Sequence, residues 1–193
     1  MDPFELLKAD HRKVEQLFTE LESAGGKGKL EVFAQIKTEL ELHTHIEEKV
    51  FYPALEEPEE THDLTLEAYE EHAVVKDLLK KLSRARTAND EWEAQAKVLQ
   101  ENVEHHVEEE ENELFPKAEA ALGEEELEDL GDRMEAEKAR KQRGASSKKS
   151  AKKSASKTKS ASTAQKRTRT SKKTSKSSGS KKSGSKKSTS KKR

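Results

Sequence analysis

The chain has 193 residues and a formal net charge of −1, but its charges are segregated. All 39 acidic residues lie between Met1 and Glu137 beside 15 Lys and Arg, a balance of −24, and the segment from Lys138 onward holds the other 23 basic residues, a balance of +23. The absence of cysteine excludes disulfides, thiolate metal sites and cysteine nucleophiles.

The acidic part has the periodicity of amphipathic helices. Asp2-Pro3 predicts a helix start, and apolar or histidine residues then recur at steps of three and four as far as Leu21. The predicted helices run from Pro3 to a break at 25–29, from there to about Pro53, over about 64–86, from about Asp90 to near Pro116, and as a largely exposed fifth helix over 123–143.

No segment alternates apolar and polar residues over the length of a strand. Four long helices with short connections predict an all-α fold, an antiparallel up-down four-helix bundle over residues 1–122. A short helix over 123–143 should follow it. Residues 144–193 are rich in Lys and Ser and lack aromatic, Leu, Ile and Val residues, which predicts a disordered basic tail.

Two motifs repeat along the predicted bundle. "HTHIEEKVFYP" from His43 and "HVEEEENELFP" from His106 share a His-x3-Glu-x5-Pro pattern at an offset of 63. "DHRKVEQLFTEL" from Asp10 matches "EHAVVKDLLKKL" from Glu71 at an offset of 61. The chain should therefore form two helical hairpins of similar plan, each with one histidine on its first helix and a His-x3-Glu pair on its second.

The repeated histidines and glutamates all fall on the inward stripes of their helices, since residues i and i+4 share a helix face. Burying unpaired ionisable groups costs several kcal/mol each, and a metal ion removes that cost by making them ligands. Imidazole and carboxylate without sulfur suit iron, manganese or zinc. The alternative is a metal-free polar core. The candidate ligands are His11, His43, Glu47, His72, His106 and Glu110.

As a set, these motifs resemble the hemerythrin-like, HHE cation-binding family over roughly residues 4–122. The resemblance implies a four-helix bundle that holds a non-haem di-iron centre, two iron ions rather than manganese or zinc, with the six candidate residues as ligands. The chain departs from the oxygen-carrying hemerythrins at Lys76, where those proteins have a further histidine. Glu110 also lies four residues after His106, where the carriers have a spacing of five. The resemblance therefore does not extend to reversible oxygen storage.

The remaining histidines do not share this register. His45 points about 200° away from His43 around its helix, His105 lacks the repeated spacing, and His62 falls in a predicted loop. We expect all three on the surface. Tyr52 and Trp92 are expected in the core.

The basic tail has the composition of a segment that binds nucleic acid without reading its sequence. Lysines act as point charges on phosphates, and the absence of aromatic residues argues against base stacking. The alternatives are a solubilising tail or one that associates with the acidic bundle. The candidate contacts are Lys148, Lys149, Lys152, Lys153, Lys157, Lys159, Lys166, Arg167, Arg169, Lys172, Lys173, Lys176, Lys181, Lys182, Lys186 and Lys187.

The resemblance implies a di-iron protein that reacts with oxygen or peroxide, senses them or handles iron, and the composition of the tail predicts that it binds nucleic acid. The alternative is a non-catalytic iron or oxygen sensor, or an iron-binding module, whose tail contacts its own bundle or an acidic partner. No stretch approaches the roughly 18 apolar residues of a membrane span, and the start lacks a signal peptide. We therefore expect a cytoplasmic protein, nucleoid-associated if the tail binds DNA, and no membrane partner.

Overall fold

The computed structural model describes residues 1–144, and they are helical almost throughout. The predicted tail, its disorder and its candidate nucleic-acid contacts fall on residues 145–193, outside the described residues. The helices are α1 (Pro3–Ser23), α2 (Lys27–Ile46) with a π turn (Glu47–Phe51) and α3 (Tyr52–Leu55), α4 (Glu59–Leu82), α5 (Asp90–Glu109) with a second π turn (Glu110–Leu114) and α6 (Phe115–Ala121), and α7 (124–144).

The four long helical segments form the predicted bundle. α1 packs against α2, and α4 packs against α5, so each hairpin is a unit. Contacts of α1 with α5 and of α2 with α4 then join the hairpins. The all-α bundle is thus confirmed. Each helix within the described residues is too polar or too short to span a lipid bilayer.

Local signals explain where these helices begin. The side chain of Asp2 accepts hydrogen bonds from the backbone N–H groups of Phe4 at 2.8 Å and Glu5 at 3.3 Å, with proline at the first helical position. Asn89 caps α5 through the N–H of Trp92 at 3.0 Å. Gly26, with φ of 51°, makes the turn between α1 and α2.

The third long helix differs from its prediction at both ends. It begins at Glu59 rather than near Leu64, because the chain enters it from the extended Pro58, and Thr61 closes the turn by donating to the Leu55 carbonyl at 2.7 Å. It ends at Leu82, not Arg86. The Leu82 carbonyl accepts a hydrogen bond from the Trp92 indole at 3.2 Å, which satisfies one of the free carbonyls at the helix end.

The core is two apolar clusters with a polar layer between them. Phe51 and Phe115 belong to the cluster at one end, and Phe33 and Leu99 belong to the cluster at the other. Along each long helical segment, the inward histidine falls between residues of the two clusters. The polar layer is therefore enclosed by apolar side chains at both ends.

Helix α7 is less exposed than predicted. Leu130 and Met134 are only 2% and 0% exposed, and both belong to the cluster that contains Phe51. α7 thus closes one end of the core with an apolar stripe, while its other faces remain in solvent. The domain limits at 122/123 and 143/144 stay predictions.

Candidate metal centre

Each helix that carries His-x3-Glu widens into a π turn that begins at the glutamate. The N–H of Tyr52 bonds to the carbonyl of Glu47, five residues back, and the N–H of Phe115 bonds in the same way to Glu110. A proline follows six residues after each glutamate. Proline lacks an N–H and crowds the carbonyl four residues earlier, so an unbroken α-helix is not available there. Single π turns of this kind are frequent at functional sites.

The six predicted ligand residues converge in the polar layer. They come from α1, α2, α4, α5 and the two π turns, and their exposed fractions lie between 0% for Glu47 and 6% for His11. The structure therefore brings the whole predicted set together. Their role as metal ligands remains a proposal.

The two glutamates lie between the hairpins, because each approaches one histidine from each of them. The Nε2-to-carboxylate distances are 3.1 Å for His43–Glu47, 3.3 Å for His72–Glu47, 3.3 Å for His11–Glu110 and 3.7 Å for His106–Glu110. Two groups of residues result, and within each group the potential ligand atoms lie within 4.8 Å of one another. The first group is His11, His43, Glu47 and Glu110. The second group is Glu47, His72 and His106. The histidines of each group come from a single hairpin, and Glu47 is common to both groups.

The opposite nitrogen of each ring faces a second carboxylate. The Nδ1-to-carboxylate distances are 2.7 Å for His11–Glu111, 3.0 Å for His72–Glu48, 2.7 Å for His106–Glu71 and 3.9 Å for His43–Asp10. At the three shorter distances, an ionised carboxylate can only accept, so Nδ1 is the donor, and in a neutral ring the lone pair then lies on the inward Nε2. Metal-binding histidines use this arrangement to fix their tautomer and orientation.

These outer carboxylates were not among the residues predicted from the sequence, although the repeat contains them. Asp10 and Glu71 each precede the first histidine of a hairpin, and Glu48 and Glu111 each follow the inward glutamate. The first two face a histidine of their own hairpin, and the other two face a histidine of the other hairpin. In both copies of the repeat, an acidic residue precedes the first histidine and another follows the inward glutamate. This recurrence was the signal that could have identified them.

Lys76 lies at the surface beside one outer carboxylate. It forms an ion pair with Glu48 and is 45% exposed, so it does not enter the polar layer. Burial alone would raise the pKa of Glu48, but its contacts with His72 and Lys76 lower it to about 2. Lys76, at the position of the extra histidine of oxygen carriers, thus contacts one of the outer carboxylates here.

Electrostatics distinguish the two buried carboxyl groups. Burial, together with the charge of Glu110, raises the pKa of Glu47 well above its usual range. Burial also opposes ionisation of Glu110, but the neighbouring His106 and His11 outweigh it and lower the pKa of Glu110. Burial lowers the pKa of His43 to about 4. Without a cation, Glu47 therefore retains a proton more readily than Glu110 does.

Several polar atoms of this layer have no partner. Among the described residues, the buried atoms without a hydrogen bond are His11 Nε2, His43 Nδ1, both oxygens of Glu47 and Glu110 Oε2. Unpaired buried polar groups are rare because each costs about 1–3 kcal/mol. Four of these five atoms face the inside of the cluster, where a cation would satisfy them together. The donor set therefore fits a metal.

Tyr52 has a larger part in the site than core packing alone. Its ring is fully buried, and its hydroxyl donates to Glu110 Oε1 at 2.9 Å and lies 3.2 Å from His72 Nε2. Burial and the nearby carboxylates raise the pKa of this phenol well above its usual value, so it stays protonated. Tyr52 thus supplies an O–H donor at the inner edge of the layer.

The other histidines lie outside the cluster. His45 bonds Glu137 at 2.7 Å, and His62 approaches the Glu56 carbonyl at 2.7 Å. His105 is 63% exposed, in a surface group with Glu71 and Glu109. Trp92 is buried, as predicted.

A small cavity adjoins the four histidines, next to apolar residues of the cluster that contains Phe33. Its volume is about 10 Å³, which is close to the space that one water molecule needs. Its lining residues are His11, Val14, Leu40, His43, Thr44, His72, Val75, Val103, His106 and Val107. Only a very small molecule fits there without movement of the protein.

Comparisons with known proteins agree with this geometry. A crystal structure of a hemerythrin HHE cation-binding domain-containing protein from Mycobacterium kansasii superposes with a TM-score of 0.64 at 27% identity, over 72% of this chain and 86% of that one. A curated protein named DNA nickase, from Nostoc sp. (strain PCC 7120 / SAG 25.82 / UTEX 2576), is 31% identical over 137 residues. That match covers 70% of this chain but only 39% of the relative, so the chain spans well under half of the relative's length.

The family model described as "Hemerythrin HHE cation binding domain" matches residues 2–118, which include all of the converging histidines and glutamates. Together with the buried cluster, this match supports a metal cofactor. The chain belongs to the hemerythrin HHE cation-binding family.

Proposed function

We propose that the polar layer holds two iron ions and that the protein reacts with oxygen or peroxide while its tail contacts nucleic acid. The observation that carries the proposal is the convergence of four imidazoles and two carboxyl groups in one buried layer, where His11 Nε2 and three of the four carboxyl oxygens have no hydrogen-bond partner. The proposed ligands are His11, His43, Glu47, His72, His106 and Glu110.

Two ions are favoured over one by the internal symmetry. Each hairpin contributes two histidines, and the groups meet at Glu47. A single zinc ion takes four ligands in most structural sites and three in most catalytic sites, so it would leave buried histidines or carboxylates unused. Iron and manganese accept more ligands of this nitrogen and oxygen type, and bundle proteins hold di-iron and di-manganese centres in comparable layers.

The size of the site limits its substrate. All six inward residues are at most 6% exposed, and the cavity beside them has a volume of about 10 Å³. A polymer cannot reach these atoms, whereas oxygen and hydrogen peroxide are small enough to enter. Two iron ions, when bound, would supply the electrons for reaction with such a molecule.

The residues around the site supply the remaining chemistry. Burial and the charge of Glu110 raise the pKa of Glu47, so a cation that binds this carboxyl group competes with a proton. Tyr52 O–H is a proton donor at the inner edge of the layer. The outer carboxylates orient the imidazoles, and the apolar clusters at both ends exclude water.

The tail supports a second contact, with nucleic acid. Its lysines and arginines can neutralise phosphates in any sequence, and one relative is named as a DNA nickase. We do not extend nicking to this chain, because a DNA strand cannot reach the buried layer. A di-iron protein held near DNA would remove oxidants where they do damage. The competing interpretation remains association of the tail with the acidic bundle, since −24 and +23 nearly balance.

The test is metal analysis of the untagged protein, followed by peroxide consumption with the iron-loaded chain. We expect about two irons per chain and a turnover of peroxide that disappears when the iron is removed. A protein with two irons that consumes neither peroxide nor oxygen would be a sensor or an iron-binding module instead. A protein that binds no metal would refute the centre itself.

A further inference from the structure

The outer carboxylates of the two hairpins differ in one contact with a histidine. Asp10 and Glu71 occupy equivalent positions in the repeat, each directly before the first histidine of its hairpin. Glu71 Oε2 lies 2.7 Å from His106 Nδ1, but Asp10 Oδ2 lies 3.9 Å from His43 Nδ1. His43 Nδ1 is consequently a buried nitrogen without a hydrogen-bond partner. The symmetry of the centre is broken on the side of the first hairpin.

Lys138 of α7 forms an ion pair with the carboxylate of Asp10. Its Nζ lies 2.6 Å from both carboxylate oxygens. The two side chains are only 21% and 12% exposed, so solvent screens this pair incompletely. Glu71 has no lysine partner among the described residues. The difference between the hairpins therefore coincides with the presence of this one cation.

The docking of α7 holds Lys138 in place. Leu130 and Met134 are buried in the core. Gly131 lies so close to the N-terminal segment that an added Cβ would be 1.7 Å from the Met1 carbonyl oxygen. His45 and Glu137 form a further contact at 2.7 Å between α2 and α7. The packing of α7 thus fixes the position of Lys138 beside Asp10.

We propose that Lys138 is a positioning residue that draws Asp10 away from His43 and makes the metal position of the first hairpin the more labile of the two. A carboxylate on the outer nitrogen raises the basicity of a metal-binding histidine, and changing such a partner typically alters metal affinity by about 10–100-fold. Lys138 withholds that contact from His43 and adds a positive charge nearby. The inference rests on the proposed two-metal centre.

The coupling must act in both directions. If the docked Lys138 weakens binding at the first position, metal bound there weakens the docking of α7 by the same free energy. Metal retention and the docking of the helix that leads into the basic tail are then linked.

The test compares the full chain with its Lys138→Met variant, each loaded anaerobically with two equivalents of iron(II) and then mixed with excess chelator. Wild type should release one ion quickly and the second slowly. Lys138→Met should slow the fast phase by about 10-fold or more and leave the slow phase unchanged. Lys141→Met, an exposed lysine on the same helix, is the matched control and should release like wild type.

An Asp10→Asn background isolates the proposed route. There, Lys138→Met should have no further effect on release. Loading should also speed amide hydrogen exchange in α7 of wild type but not of Asp10→Asn. Fast-phase rates equal in wild type and Lys138→Met, or an effect of Lys138→Met that persists with Asn at position 10, would overturn the inference alone. A wild-type chain that binds no iron would overturn the proposed function with it.

Discussion

Replacing Glu47 with glutamine should affect the metal-free and metal-loaded proteins differently. Glu47 is fully buried, both of its side-chain oxygens lack partners, and it is the one residue common to both ligand groups. Glutamine has nearly the same shape but carries no charge and cannot become a carboxylate ligand.

In the metal-free protein, Glu47→Gln should be tolerated or stabilising at neutral pH. Burial and the charge of Glu110 raise the folded-state pKa of Glu47 above its ordinary 4.5. The folded chain therefore binds this proton more tightly than the unfolded chain, and the group lowers stability as the pH rises above 4.5. Glutamine resembles the protonated form and removes that pH dependence.

In the loaded protein, the same change should remove most of the stabilisation by metal. Ligand binding contributes RT ln(1 + [L]/Kd), about 2.7 kcal/mol per ion at a free concentration of 100 Kd, or about 5 kcal/mol for two ions. Because both positions share Glu47, losing its carboxylate should affect both ions. The variant should therefore unfold at nearly the same urea concentration with and without metal.

The measurements are metal content and urea unfolding of each protein, with and without iron, over pH 5 to 8. Glu108→Gln, an exposed glutamate on α5, is the matched control and should behave like wild type. A Glu47→Gln chain that keeps two ions would refute the shared-ligand assignment. A metal-free variant less stable than metal-free wild type by about 3 kcal/mol or more would show that Glu47 is charged in a buried pair.

Three other predictions concern the ligands, acid and the tail. Glu110→Ala should lower metal content sharply in elemental analysis while Glu108→Ala should not, and equal retention would mean that the site is misassigned. Metal should be released as the pH falls below about 6.5, because protons compete with metal for His11 and His106. Contacts with Glu110 outweigh burial and raise the pKa of both histidines. Full retention of metal at pH 4 would contradict histidine ligation. The full chain should bind duplex DNA of any sequence, with affinity falling by about 10³–10⁵ between 50 and 200 mM salt, and a chain truncated after Arg143 should not bind. Absence of binding by the full chain at 50 mM salt would exclude the tail as a DNA contact.

The helices and the inward stripes followed from local rules in the sequence. Steps of three and four, the Asp2-Pro3 start and the break at 25–29 are short-range signals, so they predict elements without knowledge of the packing. The six inward residues were predictable for the same reason, since two helical hairpins leave only one face of each helix to bury. Their repetition marked them as a set.

The outer layer depended on tertiary structure. Asp10 faces His43 and Glu48 faces His72 only because of how the helices cross and rotate against each other. The many other glutamates on these helices have similar local surroundings in the sequence. The repeat narrowed the choice to a few positions, but it could not say which ring each carboxylate would meet.

The C-terminal helix shows the same division most clearly. Its sequence is so highly charged that its pattern indicated an exposed helix, and only packing revealed that Leu130 and Met134 fill the end of the core. The contact between Lys138 and Asp10 joins residues 128 positions apart. Periodicity reports which face of a helix is apolar, whereas a contact at that separation depends on where the whole helix docks, and only the folded core determines that.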